Sequence, residues 1–294
     1  MTLIGLDVGG TSMKAELTTG DGILATETCP TDRGDPVGGI LGFAARLAAR
    51  AEELTGSPAA AAGIVLPGIV DEPAGTAVHS ANLGWRDVPM RRLAAERLGI
   101  PVAIGHDVRT GGLAEAELGA GRGAGDFLFV AIGTGIAAAL ILNGAPYPGT
   151  SGWSGEAGHI VVRPGGEPCA CGNRGCLETY ASAASITRRH GADVPAEEVI
   201  ALAAAGAPRA AVVWNEALDC LADGLAAATL FLDPGLIVVG GGLAQAGPAL
   251  LDPLSTRLAA RLTFRPAPRL VPSELDDRAA VKGATILAAR LAGT

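Results

Sequence analysis

Residues 2–19, TLIGLDVGGTSMKAELTT, open with an apolar run ending at Asp7, turn at Gly9-Gly10-Thr11, and resume strand character from Met13 to Thr19. Glycine and threonine between two apolar runs mark a chain reversal. The plan restarts at residue 126. DFLFVAIG (126–133) reads as a strand, Gly133-Thr134-Gly135 as a turn and IAAALILNG (136–144) as the returning strand. Two such openings, each leading into an α-rich block, predict two related α/β domains with mixed sheets. A chain of 294 residues is long for a single core, which points the same way.

Other stretches fill in the plan. Residues 23–28 extend the first hairpin by a third strand, and 36–55 carry apolar residues at helical spacing. AAAGIVLPGIV (60–70) is a buried strand running into Pro67-Gly68, and 90–99 is a short amphipathic helix stopped by Gly99. PVAIGHD (101–107) is a strand with Asp107 just past its end, followed by a helix over 109–121. In the second half, 196–206 and 208–232 read as helices, LIVVGGGL (236–243) as a strand opening into a triple-glycine turn, and 277–292 as a closing helix.

Hydrophobic residues make up 49% of the chain, so it folds, while 3% aromatics leave the core to Ala, Val, Leu and Ile. The net charge of −8 argues against a nucleic-acid partner, which asks for a basic face. No signal peptide and no membrane span are read, because every apolar run is soon broken by Gly, Pro or charge. An odd count of five cysteines suits a reducing cytoplasm.

Three of those cysteines lie in EAGHIVVRPGGEPCACGNRGCLE (156–178). Cys169, Cys171 and Cys176 follow C-x-C-x4-C, with His159 ten positions upstream. Three thiolates and an imidazole make the Cys3His set of a closed structural zinc site, with a disulfide or scattered buried thiols as the plainer reading. A closed site does no chemistry itself but holds a loop still. Glu156 and Glu178, which bracket the ligands, are the first candidates for what the loop presents.

The glycine turns carry chemistry of their own. Asp7, Gly9, Gly10 and Thr11 place amides and a hydroxyl at a strand end beside a carboxylate, a nest for phosphate oxygens and a magnesium ion. Gly133, Thr134 and Gly135 repeat the donor set. Each alone is also ordinary turn chemistry, and neither is a P-loop or a G-x-G-x-x-G turn. Lys14 is the only cation read near the first turn.

Taken in order, D-x-G-G-T, G-T-G, E-x-G-H, C-x-C-G-x-x-G-C-x-E and the late G-G-G resemble the ROK family of sugar kinases, within the sugar kinase/actin superfamily. The match runs from residue 5 to about 285. The resemblance implies two actin-like (RNase H-like) domains flanking an interdomain cleft: 1–107, completed by 277–294, and 108–276, carrying the zinc loop. It implies transfer of the ATP γ-phosphoryl to the 6-hydroxyl of a hexose or amino sugar, glucose first and N-acetylglucosamine next. Polyphosphate is a variant donor. Asp7, Gly9, Gly10 and Thr11 match the first phosphate turn, Gly133, Thr134 and Gly135 the second, and Gly240, Gly241 and Gly242 the turn under the adenosine. Asp107 matches the general base. Asn82, His106, Glu156, His159 and Glu178 fall at sugar-binding positions, and His159, Cys169, Cys171 and Cys176 at the zinc ligands. ATP, a magnesium ion and structural zinc follow as cofactors, and a homodimer or homotetramer as the assembly.

Family members commonly carry E-N-D-x-N around the base, where this chain has Gly105-His106-Asp107-Val108-Arg109. The base is kept while its neighbours differ, which puts the identity of the sugar in question. Without the resemblance, Asp107 is equally a helix N-cap. His79 and His190 read as ordinary residues, Cys29 and Cys220 as small buried hydrophobes, and Trp85 and Trp153 as core. The other reading is a non-enzymatic sugar-sensing regulator of the same family, which calls for a DNA-binding extension that residues before strand one do not supply.

Overall fold

The computed structural model describes residues 1–191 and 193–293, so Thr294 of the expected closing segment lies outside it. Two compact units divide the chain: residues 1–114 with 148–153 and 278–294, and residues 115–147 with 154–277.

The first unit contains β1 (Leu3–Val8), β2 (Ser12–Thr19), β3 (Gly22–Pro30), α1 (Pro36–Thr55), β4 (Ala61–Leu66), β5 (Ile69–Asp71), β6 (Thr76–His79), β7 (Arg86–Val88), α2 (Met90–Leu98) and β8 (Val102–His106), and α3 (Asp107–Leu118) starts in it. The main sheet has the order β3-β2-β1-β4-β8. β1, β4 and β8 run parallel, while β2 and β3 are antiparallel additions. Helix α1 forms where the sequence asks for it. Asp35 caps the Gly38 amide at 2.9 Å, Pro36 pre-sets the first turn, and Gly56 ends the helix at φ 70°. Its Ile40, Phe43 and Leu47 bury against Ile4, Leu6, Ile64 and Leu66 of the sheet.

The second unit contains β9 (Phe127–Ile132), β10 (Ile136–Leu142), β11 (Ala145–Pro146), α4 (Glu178–Ala181), α5 (Ala183–His190), α6 (Ala196–Ala204), α7 (Pro208–Leu232), β12 (Leu236–Gly240), α8 (Pro248–Arg261) and β13 (Arg269–Pro272). Its sheet reads β11-β10-β9-β12-β13, so each sheet has the same topology in its own numbering. The hairpin repeated in the sequence is thus the start of a repeated sheet. Leu128, Val130 and Ile132 pack with Trp214, Leu218, Leu221 and Leu225 of α7 and Leu250, Leu254 and Leu258 of α8.

Helix α9 (Ala279–Ala292) returns to the first unit and lies on β1, β4 and β8. Glycines make that approach possible. A Cβ on Gly63 would fall 1.9 Å from the Ala284 carbonyl oxygen, and one on Gly105 would fall 2.5 Å from Thr110 Oγ1 and 2.8 Å from Leu287 Cδ1, both side-chain ends.

Several expectations need correcting. Residues 71–88 were not read as strands, and 69–70 were read as the end of the strand before them, yet together they form the three-stranded sheet β5-β6-β7. Trp85 is buried at 5% exposure, but Trp153 is 57% exposed and takes no part in a core. Cys220 is buried as expected, whereas Cys29 is half-buried and accepts from Arg46 Nη2 at 3.2 Å. Among the described residues no helix is long and apolar enough to cross a membrane.

Candidate active site

The parallel registers of the first sheet pair Asp7 with Val65 and Leu66 with His106. The Gly9-Gly10-Thr11 turn, the Pro67-Gly68 turn and Asp107 therefore leave the same edge, at the carboxyl ends of the strands, where open α/β sheets bind ligands. Lys14 stands opposite Asp7 in the hairpin. The Gly9 amide donates to the Ser12 carbonyl at 3.0 Å, so it closes the turn and is not a phosphate donor. The turn's carbonyls are bound from outside. Thr31 donates its hydroxyl to Gly9 and its amide to Thr11, and Arg33 Nε donates to the Gly10 oxygen at 3.1 Å. Lys14 is thus not the only cation at this turn. Arg33 is exposed, and its two Nη groups have no partner among the described residues.

Asp107 is the first residue of α3, but it does not cap that helix. The capping side chain is His106, whose Nδ1 accepts the Arg109 amide at 3.2 Å. Asp107 Oδ1 accepts the adjacent Val108 amide, at 2.7 Å, and lies 3.4 Å from His106 Nδ1. The Asp107 side chain keeps 27% of its surface open, and burial of the rest raises its pKa to about 6, against opposing pulls from the Val108 amide and the Arg109 charge. His106 is pushed the other way, to about 3, by burial and then by Arg109, so its ring stays neutral. A carboxyl tuned close to neutrality can take a proton from a hydroxyl and release it again. Asn82 is exposed in the turn between β6 and β7, where Leu83 and Trp85 anchor the backbone.

In the second unit, β9 and β12 run parallel with Gly240 opposite Ala131. This places the Gly133-Thr134-Gly135 turn and the Gly240-Gly241-Gly242 turn side by side. Gly241 has φ 81°, and a Cβ there would lie 2.5 Å from the Ile132 carbonyl oxygen, so only glycine allows the two turns so close. Glu178 Oε2 accepts the Ile136 amide at 2.8 Å, and it would sit 2.5 Å from a Cβ on Gly135. One oxygen of this carboxylate thus braces the second glycine turn.

The four expected metal ligands come together. One donor atom from each of His159, Cys169, Cys171 and Cys176 falls within 4.8 Å of every other. Cys169 Sγ is 3.6 Å from His159 Nδ1, and Cys171 Sγ is 3.7 Å from Cys176 Sγ. Tetrahedral zinc bonds imply edges of roughly 3.6 Å for S···N and roughly 3.8 Å for S···S. Those two edges match a tetrahedral zinc site, the donor set could hold zinc in kind, and no pair has disulfide geometry. Burial and the neighbouring thiols push the Cys176 thiol up to about 12, so the set ionises fully only against a cation. His159 Nε2 turns the other way, 3.8 Å from Glu156 Oε2. The loop is clamped from outside by Arg163 on Asp223 at 2.6 Å and Glu167 on Arg189 at 2.9 Å.

Beside Asp107, Glu72 had no signal in the sequence, and Arg109 stood out only as a departure from the family pattern. Glu72, just after β5, accepts the His106 amide, Arg109 Nε and Arg109 Nη2 on one oxygen at 3.0–3.1 Å. Arg109 is 2% exposed and also donates to the Gly152 carbonyl at 2.9 Å. Glu72 falls in the stretch whose short strands went unread.

The model of the ROK family matches residues 3–291. The chain belongs to the ROK family. The ROK chain is 35% identical over 283 residues to a glucokinase of Halalkalibacterium halodurans, covering 87% of this chain and 85% of that one. It superposes with TM-score 0.85 and 28% identity on the crystal structure of a ROK family glucokinase from Streptomyces griseus in complex with glucose and AMPPNP, covering 99% and 100% of the two chains. A xylose repressor of Bacillus subtilis is 36% identical over 126 residues, which is 43% of this chain and 33% of that one.

Proposed function

We propose that this ROK protein is an ATP-dependent hexose kinase that phosphorylates a sugar 6-hydroxyl, with glucose preferred and N-acetylglucosamine next. The observation that carries the reading is Asp107. It stands at a carboxyl strand end, leaves the capping bond to His106, and has a pKa raised to about 6. That is what a base for a sugar hydroxyl needs and what a mere cap does not. Full-length similarity to glucokinases supports the same reading.

The roles follow from the groups. Asp107 accepts the hydroxyl proton as the oxygen attacks the γ-phosphorus, and the attacking oxygen's new bond replaces the bridge to ADP. Asn82, His106, Glu156, His159 and Glu178 orient the sugar, Glu178 through the oxygen it does not spend on Ile136. The Gly10 and Thr11 amides and the Thr11 hydroxyl, with Gly133, Thr134 and Gly135, receive phosphate oxygens, and Gly240, Gly241 and Gly242 lie under the adenosine. Asp7 would hold a magnesium ion, which supplies charge neutralisation on the phosphates. His159, Cys169, Cys171 and Cys176 would hold zinc, which would fix the imidazole with Nε2 toward Glu156. ATP use and free cysteines suit a cytoplasmic enzyme.

A coupled ADP-release assay over a hexose panel tests the reading. ADP release that requires both ATP and a hexose is expected. Tight hexose binding with no release under any donor would assign the chain to the sugar-sensing regulators instead.

A further inference from the structure

We propose that Glu72 and Arg109 are positioning residues: their ion pair seats the first turn of α3, whose Arg109 backbone amide then holds His106 as a single tautomer with its proton on Nε2, and this donor decides which sugars the site accepts. The inference rests on the kinase reading above, which supplies the sugar.

Three elements converge on the ring. From the turn after β5, Glu72 Oε1 accepts the His106 backbone amide at 3.1 Å. The same oxygen takes Arg109 Nε at 3.1 Å and Nη2 at 3.0 Å, which fixes the guanidinium in its plane. Arg109 Nη1 donates to the Gly152 carbonyl at 2.9 Å, and Nη2 also reaches the Val70 carbonyl at 3.4 Å, so the segment 148–153 is bound into the same cluster. From the first turn of α3, the Arg109 amide reaches His106 Nδ1. A nitrogen that accepts a backbone proton cannot carry one, so the ring proton sits on Nε2.

The charges hold that state. The groups facing the imidazole are Asp107 at 3.4 Å, Arg109 and Glu72. Burial and Arg109 keep the ring neutral, with Glu72 opposing more weakly. The second tautomer would put a proton against the Arg109 amide. Among the described residues no acceptor takes Nε2–H, and Nε2 is not among the buried polar atoms left without a partner. The ring therefore offers solvent or ligand a donor and no acceptor. An asparagine at this position offers both from one amide. The Glu72 and Arg109 side chains also border a cavity of about 580 Å³ lined by residues 70–73 and 148–152.

A donor-only contact discriminates between sugars by what the facing oxygen can accept, and a polar contact left unpaired costs far more than a missing methylene. The test uses Glu72→Met/Arg109→Met together, since replacing both partners of an ion pair with apolar side chains is often tolerated where removing one is not. Side-chain 15N NMR of His106 reports the tautomer without any turnover. In the wild type one tautomer is expected at pH 7, and in the double variant a mixture. Values of kcat/KM for glucose, mannose, galactose and N-acetylglucosamine should change in ratio by about tenfold, while the KM for ATP stays within about twofold. His106→Asn should shift the same ratios with the ion pair intact. A double variant that keeps a single Nε2–H tautomer, or one that loses it with unchanged sugar ratios, overturns the proposal. If the double variant does not fold, Glu72→Gln, which keeps an acceptor oxygen, is read by the same NMR signal and the same ratios. A wild type that turns over no hexose refutes the kinase reading, and that failure is visible separately from the tautomer result.

Discussion

The Cys3His loop and the Asp107 corner both carry candidate site residues, and the two are built to hold them still by opposite means. The loop gathers its four ligands from residues 159–176, and its outer clamp, Arg163 on Asp223, leaves each side chain about one-third exposed at 33%. Metal–thiolate bonds are strong enough that such a site does not depend on burial. The corner has no metal ligand set. It depends on a 2%-exposed arginine and on a glutamate 37 residues away, and its tuned pKa values come chiefly from burial. A change of charge should therefore be felt strongly at the corner and weakly on the loop's outer side, whereas a change of metal supply should be felt only at the loop.

The largest effect should come from Asp107→Asn. Loss of a general base costs roughly 10²–10⁴-fold in kcat, with sugar binding by calorimetry retained. A variant within tenfold of wild type would make the corner a structural device only. Next, Cys176→Ser should lose the bound zinc, expected at about one ion per chain, and raise the sugar KM by about tenfold with kcat less affected. Unchanged zinc by elemental analysis would place the metal elsewhere.

A third test turns on stability. The folded pKa of Asp107 lies above its unfolded value of 3.8, so the folded state binds the extra proton between pH 4 and 6. Stability from this group is present below pH 4 and is lost as pH rises through about 6. Asp107→Asn, which stays neutral, should then melt above the wild type at pH 7.5 and level with it at pH 4. The opposite order would mean that the carboxylate is stabilised where it stands. The smallest effect belongs to Arg163→Met, because a pair this exposed is worth roughly 0–1 kcal/mol and is screened by salt. A Tm change of more than a few degrees, or one that persists at 1 M salt, would show that the loop depends on charge as the corner does.

The same contrast explains what could be read from the chain alone. C-x-C-x4-C with an upstream histidine is a local pattern, and its four donor atoms lie within 4.8 Å of one another. The twin strand–turn–strand units were equally local and opened two sheets of one topology. Strands β5, β6 and β7 are only three or four residues long, too short for alternation to register, and Glu72 was lost with them. The reason for Gly63 sits at the Ala284 carbonyl, near the other end of the chain, and no spacing rule connects the two. His106 was singled out as a departure from a family pattern. That it caps α3 and thereby frees Asp107 required coordinates.

The central claim is that Asp107 takes the sugar proton from a pKa near 6. The pH dependence of kcat/KM for the preferred hexose at saturating ATP tests it most directly. The account predicts a rise of about tenfold per pH unit below pH 6 and a plateau above it, with the rising limb absent in the residual activity of Asp107→Asn. A wild-type profile that is flat from pH 5 to 8, or a limb that survives in Asp107→Asn, would contradict it.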